Sequence, residues 1–206
     1  TDISANVPSL DLRQLPAYQP INPSSVMEIH PWKVYCELKK TPVGKSCGPD
    51  GVSAKLIREF AAELSSPICD IINTSYREGK VPSQWKRSIV VPVPKKSPPT
   101  IDQLRPISLT DHFAKLAELF IYRQLLADIE PNIDPQQYGS RRGNSTAHYL
   151  VNLLHFLHTN ADRLQTVSTI VVTDFSKAFD LVNHNIAINK LFTMGARPSL
   201  LPWISS

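Results

Sequence analysis

The sequence predicts a mixed α+β protein, helices packed on an antiparallel sheet, and three observations carry that expectation. Between residues 53 and 79 apolar side chains recur at helical spacing; between 87 and 110 two short apolar runs flank a polar, proline-rich turn; between 167 and 173 a β-branched run ends on Asp174. At 206 residues, 42% hydrophobic and 19% charged, the chain can bury one good core or two smaller lobes and is too apolar to be disordered.

Residues 1–32 read as an extended linker. The opening "TDISANVPSLDLRQLPAYQPINPSS" is rich in proline and has neither the basic start nor the apolar centre of a signal peptide, so it is expected to join a segment upstream. A short helix is expected around residues 31–40, then the turn "GKSCGPDG", after which Asp50 or Ser53 can cap a helix carrying Leu56, Ile57, Phe60 and Leu64. Ser65 or Ser66 followed by Pro67 reads as a fresh N-cap and first helical position. Ile68, Ile71, Ile72 and Tyr76 then carry a second helix to Gly79.

In "RSIVVPVPKKSPPTIDQLRPISL", Pro92 and Pro94 argue for an edge strand, and Pro98 with Pro99 for a hairpin tip or loop. A hairpin brings Lys95 or Lys96 opposite Arg105. Residues 80–105 hold six cations against the single Asp102, so this window carries +5 while the chain as a whole carries +4. Such a cluster is either a solvated edge or a seat for an anion, and a triphosphate or nucleic-acid backbone would relieve its repulsion.

"DHFAKLAELFIYRQLLADIEP" predicts the clearest helix, with Asp111 at its cap, Phe113, Leu116, Ala117, Phe120, Ile121 and Leu125 on one stripe, and Pro131 beyond its end. "IDPQQYGSRRGNSTAHYLVNLLHFLHTN" follows as a loop bearing Arg141 and Arg142, then a helix capped by Asn144 or Ser145 with Leu150, Leu153, Leu154 and Leu157 inward. The two arginines either contact phosphate or are inert surface. His155 and His158 share a helix face, but no nearby carboxylate or third histidine makes them a metal pair.

The run from Val167 to Thr173 suits a strand covered on both faces. Asp174 at its end either caps a following helix or does chemistry at a sheet edge. It does not form an acid/base dyad with Asp180: six residues would part them by about 20 Å on a strand and by about 9 Å along a helix axis, on different faces. A ligand of a hard cation such as Mg²⁺, completed by partners from elsewhere, suits Asp174 better.

Other classes are excluded. There is no GxGxxG, no GxxxxGK[ST] and no GxSxG, and no apolar stretch approaches the roughly 20 residues that span a bilayer. Three cysteines, Cys36, Cys47 and Cys69, are too widely spaced for a zinc knuckle and odd in number for a disulfide framework. The expected setting is intracellular, cytoplasmic or nuclear, with no membrane partner.

Five segments, "KSCGPDGVSAKLI", "VPSQWKRSIVVPVPKK", "LRPISLT", "QQYGSRRGNSTAHYL" and "VVTDFSKAFDLVNH", stand in the order and near the spacing found in the reverse transcriptases of non-LTR (LINE-type) retrotransposons. The chain resembles that family from about residue 33 to residue 206. The resemblance implies a right-hand polymerase, with fingers over 33–110 and the first part of a palm over 111–206. It also implies an RNA template, a DNA primer and dNTP as partners. Asp174 matches the first metal-binding aspartate of the palm, and Phe175 the position whose backbone carbonyl also reaches a metal. Phe179 matches the aromatic that packs under the incoming sugar and rejects a 2′-hydroxyl, with plain core packing as the alternative. Lys95 or Lys96 and Arg105 resemble the clamp on the triphosphate; Gln137, Gly139, Arg141, Arg142 and Gly143 fall in a loop near template and primer; Lys177 and Asp180 look like supporting residues.

The implied reaction is nucleotidyl transfer, in which a primer 3′-hydroxyl attacks the α-phosphate while two Mg²⁺ ions roughly 4 Å apart stabilise the entering and leaving oxygens. Such a site needs two or three carboxylates, yet the family's paired aspartates are absent, since the chain holds no adjacent Asp-Asp. The 206 residues alone are therefore expected to be inactive, and the unfinished sheet to leave an exposed apolar face. The alternative is a catalytically dead, retrotransposon-derived remnant that still binds nucleic acid.

Overall fold

The computed structural model describes residues 27–94, 104–163, 166–175, 178 and 181–206. The chain divides into two compact units, residues 1–129 with 184–206, and residues 130–183.

The larger unit is built on helices. His30 opens α1 (Pro31–Lys39) by accepting the Trp32 amide, and Pro31 sits in the first turn, where a missing N–H costs no helical bond. Ser53 caps α2 (Ala54–Glu59), accepting from the Leu56 amide at 3.2 Å, while Asp50 accepts from the Val52 amide at 3.0 Å and shapes the preceding loop.

The break between α2 and α3 (Ala61–Glu78) falls at Phe60, not at Ser65 or Ser66, and Pro67 lies inside α3. The expected start at Pro67 is overridden because the buried stripe Ala61, Ile68, Cys69, Ile72 and Tyr76 runs on both sides of it, so packing outweighs one lost helical hydrogen bond. Ser65 Oγ donates back to the Ala62 carbonyl instead of capping. Gly79, at φ +61°, ends the helix in the left-handed conformation that a glycine adopts without a Cβ penalty.

The main core gathers Val34 and Leu38 of α1, Ile57 of α2, the α3 stripe, and Leu116, Ala117, Phe120 and Ile121 of α4 (His112–Ile129). Leu200 and Trp203 complete it, the latter in α7 (Leu201–Ser205). Its polar groups are matched: Tyr76 Oη donates to the Ala117 carbonyl at 2.6 Å, Trp203 Nε1 donates to Ser75 Oγ at 2.8 Å, and the Asn73 amide satisfies both the N–H and the carbonyl of Ile29, each at 2.8 Å. Cys36, Cys47 and Cys69 are free thiols.

Helix α6 (His184–Thr193) and α7 pack against the end of α4 through Ile188, Ala196 and Leu201, with Leu125 and Ile129 alongside. Arg197 locks this return of the chain. Its backbone N–H, Nε and Nη2 reach the Asp128 carboxylate at 3.2, 2.8 and 2.6 Å.

Strands β1 (Ser88–Pro94) and β2 (Leu104–Thr110) form a two-stranded antiparallel sheet, the one sheet among the described residues. Pro92 lies opposite Pro106, and Pro94 opposite Leu104. Because side-to-side bonding alternates along an antiparallel pair, the three prolines share one phase and can all face away from the partner strand, where no ladder bond is lost. That arrangement also strips donors from both outer edges, so a further strand would pair poorly there.

In the smaller unit, α5 (Thr146–Ala161) is capped by Ser145, which accepts from the His148 amide at 3.3 Å. Two expectations fail here. Leu150 and Leu154 are exposed and Leu153 and Leu157 only half-buried, since no described residue of this unit covers that face of α5. The run 167–173 is neither helix nor strand, and Val167 and Val172 are 90% and 88% exposed. β-Branched residues fit a pleated, partly buried surface, and among the described residues no neighbouring strand supplies a ladder to hold them.

Candidate functional site

The sheet places Arg105 on a defined face. Alternation puts Ile89, Val91 and Val93 on one side of β1, with Leu109, Ile107 and Arg105 opposite them on β2, so an exposed apolar strip ends on a guanidinium. Arg105 pairs with Val93 at the end of the ladder nearest residues 95–103. Lys95 and Lys96, expected there, lie outside the described residues.

The loop before α5 is held by its own polar groups. Asp134 Oδ1 accepts from the Gln136 amide at 2.8 Å, an Asx turn that Asp-Pro-Gln encodes, and the Gln137 amide bonds the Asp134 carbonyl at 3.0 Å. Gln137 Nε2 donates to the Gly139 carbonyl at 3.1 Å. Ser140, at φ +60°, and Gly143, at φ +84°, turn the chain back; for serine this is an uncommon conformation. Tyr138 packs edge-on to Tyr149 of α5, centroids 5.7 Å apart, and its hydroxyl bonds Asn152.

This geometry separates two arginines that look equivalent in sequence. Arg141 is half-buried and occupied, its Nη2 3.4 Å from Glu130 and its Nη1 3.4 Å from the Asp134 carbonyl. Arg142 is exposed and, among the described residues, makes no ion pair. Arg141 orders the loop, and Arg142 stands exposed beside it. Nothing in the sequence flagged Glu130 as the partner, because the contact spans the 3₁₀ turn Glu130–Asn132 that follows α4.

Asp174 and Phe175 lie side by side at the end of an exposed stretch, with Phe175 79% exposed. The next described helix, α6, begins at His184, so Asp174 does not cap it. Asp174 is exposed and, among the described residues, makes no ion pair. A hard divalent cation would suit such an oxygen donor, and Mg²⁺ typically takes only one or two protein carboxylates. No group of three metal-ligating side chains occurs among the described residues. Phe179, Lys177 and Asp180 lie outside them, as does any contact of theirs with Asp174.

A family model, "Reverse transcriptase (RNA-dependent DNA polymerase)", matches residues 93–206, over half of the chain. The chain is 32% identical over 178 residues to a probable RNA-directed DNA polymerase from transposon BS of Drosophila melanogaster, covering 84% of this chain and 19% of that protein. Against the RNA-directed DNA polymerase from mobile element jockey, of the same organism, it is 28% identical over 152 residues, 71% and 16% of the two chains. Against the transposon TX1 uncharacterized 149 kDa protein of Xenopus laevis it is 25% identical over 173 residues, 82% and 13%. The chain thus spans less than a fifth of the length of these relatives. The motifs, read one after another along the sequence, and the match over residues 93–206 agree: the chain belongs to the reverse transcriptase (RNA-dependent DNA polymerase) family, in the company of the non-LTR retrotransposon enzymes.

Proposed function

We propose that this chain is the fingers and first palm portion of an RNA-directed DNA polymerase that adds deoxynucleotides to a primer 3′-hydroxyl on an RNA template. The observation that carries this reading is the family match over residues 93–206, which takes in both Arg105 and the Asp174 motif. Asp174, exposed and unpaired among the described residues, is the carboxylate that would hold Mg²⁺, with the Phe175 backbone carbonyl beside it. A bound divalent ion would supply charge stabilisation for the entering and leaving oxygens.

The remaining roles belong to the chain's own side chains. Arg105, at the end of an exposed apolar strip, grips the triphosphate with Lys95 or Lys96, its planar fork matching phosphate oxygens. Phe179 packs under the sugar and excludes a 2′-hydroxyl. Arg142, uncommitted where Arg141 is occupied, contacts the backbone of template or primer, and Gln137 and Gly139 hold its loop in shape.

The test is primer extension on an RNA template by the polymerase polypeptide that carries this chain. Asp174→Asn is expected to lower dNTP incorporation by about a thousandfold or more with folding unchanged, since the residue is exposed. Phe179→Val is expected to admit ribonucleotides. Wild-type incorporation by D174N would refute the assignment. The 206 residues alone, with no Asp-Asp pair, are expected to extend nothing.

A further inference from the structure

A hollow of about 480 Å³ lies where residues 27–29 enter the helical unit, between α1 and α4. Buried Phe120 and half-buried Met27 line it. Trp32, 63% exposed, lines it from α1 and stacks on Tyr35 with ring centroids 5.1 Å apart. The charges around the hollow cancel, Glu28 and Glu37 against Lys33 and Arg123, and Arg123 Nη1 already meets Glu37 Oε1 at 3.1 Å. A polyanion therefore finds no net attraction here, whereas a neutral apolar segment would take the indole and Phe120 out of water.

The chain delivers such a segment to this place. Ile29 is pinned to α3: its N–H donates to Asn73 Oδ1 and its carbonyl accepts from Asn73 Nδ2, both at 2.8 Å, and the same carbonyl accepts from Cys69 Sγ at 2.9 Å. What precedes Met27 thus starts at the edge of the hollow. Residues 1–26 lie outside the described residues, but their sequence carries a pattern. Residues 14–27 hold no charged side chain, and Pro16, Pro20 and Pro23 favour the polyproline II conformation. That conformation has about three residues per turn, so Leu12, Leu15, Tyr18 and Ile21, spaced by three, share one face. Asn22-Pro23-Ser24-Ser25 has the residues of a turn, with proline at its second position, and would bring Ile21 back beside Met27.

We propose that this hollow seats the chain's own proline-rich segment, Tyr18 and Ile21 lying against Trp32 and Phe120 after a turn at residues 22–25. The size of the hollow falls within the range of ligand pockets, and proline-rich segments dock in aromatic-lined grooves. A tether of a few residues holds the segment at an effective concentration on the order of millimolar, so weak contacts suffice. The upstream segment then ends as a strap across α1 and α4, and this assignment is independent of the polymerase reading.

Thiol labelling tests it. Cys36 lines the hollow and is half-buried; Cys47, also half-buried, belongs to the turn after α1 and is not part of the lining. The rates at which a thiol reagent modifies each, resolved by peptide mass, are compared in variants of the 206-residue chain. Tyr18→Ser with Ile21→Ser is expected to speed labelling of Cys36 about tenfold, the loss of an occupancy of about nine-tenths, and to leave Cys47 within about twofold. Val7→Ser with Leu10→Ser, off the stripe, is expected to leave both rates unchanged. An unchanged Cys36 rate in Y18S/I21S overturns the proposal, as does an equal acceleration of Cys47 or an equal acceleration in V7S/L10S. Protection that fades as the protein is diluted assigns the hollow to a second copy of the chain and overturns it too. Should Y18S/I21S melt below wild type, Tyr18→Cys with Cys47→Ser decides: oxidation is expected to join positions 18 and 36 within one chain, and a free Cys36 thiol or cross-links between chains alone overturn the proposal.

Discussion

Asp128 is the residue on which the return of the chain from the smaller unit depends, and Asp128→Ala measures how much. The change removes an acceptor of three N–H groups of Arg197, one of them the backbone amide. Hydrogen bonds to a charged group contribute about 1.5–3 kcal/mol each when buried, but the contributions overlap. The Asp128 side chain is 10% exposed and Arg197 41%, so solvent screens the guanidinium side of the pair. A loss of about 2–3 kcal/mol follows, or a fall of about 5–10 °C in Tm at the scale of a chain this size. Asp128→Asn keeps an acceptor but not the charge and should cost about half as much.

The pH dependence has a definite sign. Burial raises the Asp128 carboxyl, but the Arg197 hydrogen bonds and charge more than offset it, so the folded pKa lies below the ordinary value of 3.8. The clamp therefore contributes fully above that ordinary value and fades as pH falls through the lowered folded one. The gap between wild type and D128N in thermal melts should begin to narrow as pH falls below that ordinary value, and a double-mutant cycle with Arg197→Ala isolates the coupling. A D128A protein within about 0.5 kcal/mol of wild type at pH 7, or a D128N gap that stays constant down to pH 3, would refute the reasoning.

Gly48→Ala forces a Cβ to within 2.3 Å of Asp111 Oδ1 and 2.5 Å of its backbone nitrogen, neither a flexible end, so chemical denaturation should register a loss of about 2–3 kcal/mol. Tyr76→Phe removes a buried 2.6 Å bond to the Ala117 carbonyl and should cost about 1–2 kcal/mol by the same method; a smaller loss would mean that water replaces the hydroxyl. Arg141→Ala should make the loop at 134–145 more susceptible to proteolysis by releasing Glu130 and the Asp134 carbonyl. Arg142→Ala should leave proteolysis unchanged and weaken single-stranded RNA binding, its salt slope falling by about 0.7.

Sequence alone determined the family, because five ordered motifs specify it more tightly than any local feature. It also determined the elements whose signals are local: α1, α4 and α5, the last with its Ser145 cap, the hairpin pair with its prolines, and Ser53 or Asp50 at the head of α2. Tertiary structure decided what depends on a distant partner. Pro67 stays inside α3 because the helix is held by a buried stripe that Leu116, Ala117 and Phe120 cover from another part of the chain. The run at 167–173 has strand composition but no strand, because a ladder needs a neighbour. Arg141 and Arg142 are adjacent letters with different occupations, set by Glu130 at the far end of their loop. Lys45, from the turn after α1, and Lys115, from α4, come to one hollow only in the fold, since charge in one dimension does not say which cations share a hollow.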